Sequence, residues 1–167
     1  GQSCTLRNAS GTMASANVST VEVACATSMA SLPEGDWKQD LCAPLRPGVW
    51  GRNVWRITRQ SESRVAFSQT LAEYGDAQCA GTGTLLATAP TSLGTVVFDR
   101  SGANAALTAF WGLWNQPTGL ASRTVWARKG TYLCALGDAS PSILPTPDSV
   151  ESAANLSIAG KSCYTKL

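Results

Sequence analysis

The sequence predicts an all-β domain of antiparallel strands, and three observations predict it. From Trp37 onward, short runs rich in β-branched and aromatic residues are punctuated by Gly, Pro, Asp and Asn. Turn signals (PEGD, RPG, YGD, PTSLG, DRSG, NQPTG, RKG, ALGD) return roughly every 8 to 12 residues. Helical periodicity is weak, whereas Val65, Phe67, Gln69 and Leu71 give a mostly apolar alternation with polar or small residues between them. Such a meander closes either as a sandwich or as a barrel.

Taken in order, residues 1–33 read as an N-terminal extension rich in Ser, Thr, Ala and Val, ahead of a domain over 34–167. Ala content suits a helix near 14–29, while Val18, Val21, Val23 and repeated Thr favour extended chain, so both readings stay open. Candidate strands follow at 53–59, 63–74, 83–88, 95–99, 105–114, 123–127, 130–136 and 161–166. Short links join them until 137–160, where Pro141, Pro145 and Pro147 mark a surface excursion that is not a strand. On strand 105–114, alternation puts Phe110, Gly112 and Trp114 on one face and Trp111 and Leu113 on the other. A strand that is aromatic on both faces is either buried twice or offers one face to a partner.

The chain has 167 residues, enough for one core. Only 14% of residues are charged, so Ser, Thr, Asn, Gln and Gly must cover most of the surface, an extracellular style. Net charge is +2 and the basic residues form no cluster, which argues against a nucleic-acid partner. No apolar run is long enough to span a membrane and no leader opens the chain, so neither a span nor a signal peptide is expected.

Six cysteines, Cys4, Cys25, Cys42, Cys79, Cys134 and Cys163, stand far apart, with no His and no CxxC pair. That pattern suits disulfides in an oxidising compartment better than a metal site, so no metal and no cofactor is expected. Proximity in sequence suggests Cys4 with Cys25 and Cys134 with Cys163, the latter closing the Pro-rich excursion at its base. Sequons at Asn8, Asn17 and Asn155 make the chain a candidate glycoprotein.

Absence of His removes the usual general base, and there is no GxSxG and no phosphate loop. No paired carboxylates stand out, and Asp76 reads as a turn cap ahead of Cys79. Catalysis is therefore not expected.

Two motifs carry a resemblance: GDWKQDLC at 35–42, with Gly-x-Trp and a following Cys, and YGDAQC at 74–79. With the strand pair GTGTLLATA and GTVVF, then YLCALGD, PTPDS and CYTK near the end, residues 35–167 resemble a lipocalin-like domain. That domain belongs to the adenomatosis-polyposis-coli down-regulated family of secreted Wnt antagonists and to similar bacterial periplasmic proteins. The resemblance implies an up-and-down barrel of about eight strands, with Trp37 opening the first strand at the barrel's base and Cys42 joined to Cys79. The family carries two such domains and a membrane anchor, whereas this chain has one domain, no anchor and a first segment outside the resemblance, so Wnt antagonism is not carried over.

A barrel of eight strands holds either packed side chains or one small ligand. The leading expectation is a secreted or cell-surface, non-catalytic protein holding a small apolar or amphipathic, acyl-chain-like ligand. Trp55, Ile57, Phe67, Leu86, Val97 and Trp111 are the expected lining residues. The alternative is a glycosylated structural, adhesive or assembly module with a filled barrel, meeting an extracellular protein partner. A third reading is a carbohydrate-binding module using surface tryptophans such as Trp50 and Trp114.

Overall fold

In the computed structural model, residues 29–85, 89–137 and 142–167 are described. The elements are β1 (Gly35–Gln39), β2 (Ala43–Arg46), β3 (Val49–Arg59), β4 (Arg64–Tyr74) and β5 (Thr84–Leu85). They continue as β6 (Thr91–Ala103), β7 (Thr108–Asn115), β8 (Ala121–Lys129), β9 (Tyr132–Gly137), α1 (Pro147–Ala159) and β10 (Tyr164–Lys166). The order β3-β1-β10-β9-β8-β7-β6-β4 returns to β3 through a long β3–β4 pairing, closing an antiparallel up-and-down barrel of 8 strands. Closure leaves the ring without an open edge. The expected all-β barrel stapled by disulfides is therefore the observed fold.

Strand membership differs from expectation at three places, one of them β2, an unexpected strand that pairs with β3 outside the ring. The segment expected as strand 83–88 yields only β5, which pairs with the end of β4 beside the ring, and residues 86–88 lie outside the described residues. Its place in the ring is taken by β1, which pairs Trp37 with both Trp55 and Lys166. A five-residue strand with one large apolar side chain gives little periodic signal, although the resemblance put a first strand at Trp37.

The 137–160 excursion contains no strand, but it holds a helix. Thr146 caps α1 by accepting from the Ser149 amide at 3.2 Å, the Ser149 hydroxyl stands 3.1 Å from the Thr146 amide, and Pro147 occupies the first turn. Val150 and Ala154, one helical turn apart, face the barrel and are buried, with Ile158 continuing the stripe.

Parts of the sheet are buried on both faces. Inside the ring, Trp37, Ile57, Val65, Phe98, Phe110 and Leu133 form a continuous core. Outside it, α1 lies over β7, β8 and β9, where Trp111, Val125 and Cys134 meet Val150 and Ala154. A smaller outer cluster gathers Val54, Ala72 and Tyr74 beneath Cys42 and Cys79.

Residues 29–34 lead into β1 across one end of the ring. Leu32 is buried in the interior core, the Ala30 amide donates to the Ser101 hydroxyl at 2.9 Å, and Arg128 donates to the Ser31 carbonyl at 3.2 Å. The end of the expected N-terminal extension thus closes the barrel's base.

Two disulfides are formed as expected, Cys42–Cys79 and Cys134–Cys163. Cys4 with Cys25 lies outside the described residues. Asp76 takes the expected turn-capping role, accepting from the Gln78 amide at 2.9 Å and the Ala80 amide at 3.2 Å.

Candidate functional site

At the end of the ring opposite residues 29–34, the interior opens into a cavity of about 320 Å³. Strand alternation builds its wall. β3 contributes Trp55, β4 contributes Phe67 and Gln69, β6 contributes Leu93, β7 contributes Trp114, and β8 contributes Thr124 and Trp126. Ala135 and Gly137 on β9 complete it with minimal side chains, leaving the space that the rings enclose.

The rings are held in place. Trp55 stacks on Tyr164 with centroids 3.9 Å apart and meets Phe67 edge-on at 5.3 Å. Its indole N–H donates to Gln69 Oε1 at 3.1 Å, and that of Trp114 donates to the Leu93 carbonyl at 2.7 Å. Leu93 reaches this position at an irregular turn of β6, where Gly94 takes φ +93° and a Cβ would run into the Asn115 carbonyl. Behind Trp55, desolvation holds the Tyr164 phenol well above its usual pKa, so it remains neutral.

Two polar side chains face the cavity. Thr124 is 4% exposed, and its hydroxyl has no hydrogen-bond partner among the described residues. Gln69 spends its carbonyl oxygen on Trp55 and leaves its amide N–H groups for other use. No lining residue is titratable. The arrangement therefore offers π faces and two neutral hydrogen-bonding groups, which can hold a molecule but supply no acid, base or charge. Among the described residues, no three metal-ligating side chains converge.

No protein-family model matches this chain, and no curated protein or solved structure matches it.

Of the expected lining residues, Trp55 and Phe67 do line the cavity. Ile57 points inward but sits deeper, 2% exposed within the core. Val97 and Trp111 are corrections. Val97 pairs with Leu113 on the outer face of the ring, because Val96 and Phe98 occupy the inner one. Trp111 is also outside, buried under α1 with its indole N–H donating to the Leu144 carbonyl at 2.7 Å and Arg100 over its ring at 3.9 Å. A register shift between Phe98 and Arg100 puts Arg100 opposite Trp111 on that outer face. Leu86 lies outside the described residues.

Gln69, Leu93, Trp114, Thr124 and Trp126 were missed. The alternation that separates Trp111 from Phe110 and Trp114 carries the signal, but it does not say which of the two faces is inner. Neither Trp50 nor Trp114 is a surface platform: Trp50 packs against the Cys42–Cys79 cluster, and Trp114 is inside the mouth. Asn155 is exposed on α1, where its side chain accepts from Lys129, whereas Asn8 and Asn17 lie outside the described residues.

Proposed function

We propose that this protein is a secreted, non-catalytic binding protein that holds a small apolar or amphipathic ligand at the mouth of its barrel. The observation that carries this reading is the cavity of about 320 Å³ walled by Trp55, Phe67, Trp114 and Trp126. Small-molecule sites are concave, largely apolar and of about 300–1,000 Å³, with few polar groups placed to orient the ligand. Two disulfides suit an oxidising, extracytoplasmic compartment. The resemblance of residues 35–167 to lipocalin-like domains points the same way. Below the mouth, Phe98, Phe110 and Leu133 fill the ring, so an extended acyl chain has no channel to enter and the ligand must be short.

Native mass spectrometry of protein purified from its own source, followed by solvent extraction, tests the reading. A stoichiometric small molecule released on denaturation is the expected result. The filled lower barrel also suits a structural or assembly module, and a ligand-free chain that runs as a defined oligomer would replace the binding reading with that one.

A further inference from the structure

We infer that the mouth cavity selects an uncharged, single-ring ligand bearing one hydroxyl or carbonyl group, oriented by Thr124 and Gln69. This inference rests on the binding reading above and narrows it to a ligand class. Three features of the cavity converge on that class.

The first is size. About 320 Å³ holds roughly ten non-hydrogen atoms at the ~30 Å³ that a molecule of liquid water occupies, enough for one ring with small substituents and too little for a long chain. The second is the chemistry of the walls. Both Trp55 and Trp114 have spent their N–H groups, on Gln69 and on the Leu93 carbonyl, so with Phe67 and Trp126 they form an aromatic wall of fixed orientation against which a flat ring can pack. The third is the polar pair. Thr124 faces the cavity and its hydroxyl makes no hydrogen bond to another described residue, so it is open to pair with a ligand atom. The free amide N–H groups of Gln69 donate to an acceptor on the same ligand.

The same features say what is rejected. No lining residue carries a charge, so a carboxylate or ammonium drawn among the rings finds no counter-ion and is disfavoured. A sugar carries more hydroxyls than Thr124 and Gln69 can satisfy, leaving the rest unpaired against indole and phenyl surface. A long acyl chain meets Phe98 and Phe110 beneath Phe67.

Calorimetric titration of the whole protein with four probes tests this: p-cresol, toluene, p-toluate and dodecanoate. The expected result is sub-millimolar binding of p-cresol, about tenfold tighter than toluene, the scale of one hydrogen bond in a buried site, and tighter still than p-toluate or dodecanoate. Thr124→Val, which keeps the β-branched shape, brings p-cresol down to the toluene level, while Thr124→Ser restores the preference. Equal binding of p-cresol and toluene, an undiminished preference in Thr124→Val, or dodecanoate as the tightest probe would overturn the ligand class and leave the binding function standing. Silence from all four probes would likewise overturn the ligand class, while native mass spectrometry of the source-purified protein decides the binding function.

Discussion

Replacing Trp111 by Ala separates the two cores on either side of the sheet. Trp111 is 1% exposed, lies against Val150 and Ala154 of α1, donates to the Leu144 carbonyl and sits under the Arg100 guanidinium. Truncating a buried Trp costs about 3–5 kcal/mol, the sum of lost transfer free energy and the cavity left behind. That is a large share of the 5–15 kcal/mol that holds a typical domain folded. At a urea slope of about 2 kcal/mol/M, a loss of about 4 kcal/mol moves the unfolding midpoint by about 2 M. Trp111→Phe keeps most of the apolar contact and loses the N–H donor, so its shift is expected near 1 kcal/mol. Urea unfolding followed by far-ultraviolet circular dichroism measures both variants, and titration of the folded fraction with p-cresol measures the mouth. A midpoint within 0.5 M or so of the parent would mean that α1 does not form a core with the sheet. Loss of p-cresol binding by folded Trp111→Ala, with Trp114 intact, would put Trp111 in the pocket and refute its place on the outer face.

Two further outcomes follow from the staples and the buried phenol. Replacing Cys134 and Cys163 together by Ser releases a loop of sequence separation 29, and the chain-entropy relation puts the loss at about 3.6 kcal/mol; a loss below about 1 kcal/mol in thermal unfolding would show that α1 closes this loop without its disulfide. Burial raises the Tyr164 phenol, so the stability it contributes is fully present below the unfolded value near 10 and is lost as pH rises above that, by about 1.36 kcal/mol per pH unit. Tyr164→Phe should therefore flatten the fall in stability above pH 10 or so, and an identical alkaline slope in parent and variant would contradict this.

Much of the barrel was legible because its strands are long and their links short. β3 and β4 alternate over eleven residues each, and β7 and β8 flank the clear turn NQPTG. Three features were not legible, for separate reasons. β1 is five residues long and shows only Trp37 as an inward anchor. α1 was hidden by its own prolines: Pro141 and Pro145 lie before the helix and Pro147 starts it, so residues that read as breakers here include a favoured first-turn residue, preceded by the capping Thr146. The inner face of β6 and β7 was lost because both faces of β7 are aromatic. Alternation then gives two sets without saying which is inside, and the register shift at Phe98 breaks any attempt to carry the parity along β6.

Burial of both sheet faces bears directly on the mouth. Trp114, Thr124 and Trp126 are carried by β7 and β8, the strands whose outer faces lie under α1. The helix is anchored by Cys134–Cys163, which ties β9 to the start of β10, and by Val150 and Ala154 wedged against Val125. On the far wall, β3 and β4 carry Trp55, Phe67 and Gln69, and on their outer faces Val54, Ala72 and Tyr74 belong to the cluster beneath Cys42–Cys79. The strands of two walls, β7–β9 and β3–β4, are thus each held from outside by an apolar cluster with its own disulfide. A ligand entering such a site orders few side chains, and binding retains more of its contact free energy when the site is formed beforehand. The outer clusters act on the mouth without touching it, by fixing the strands that aim its rings.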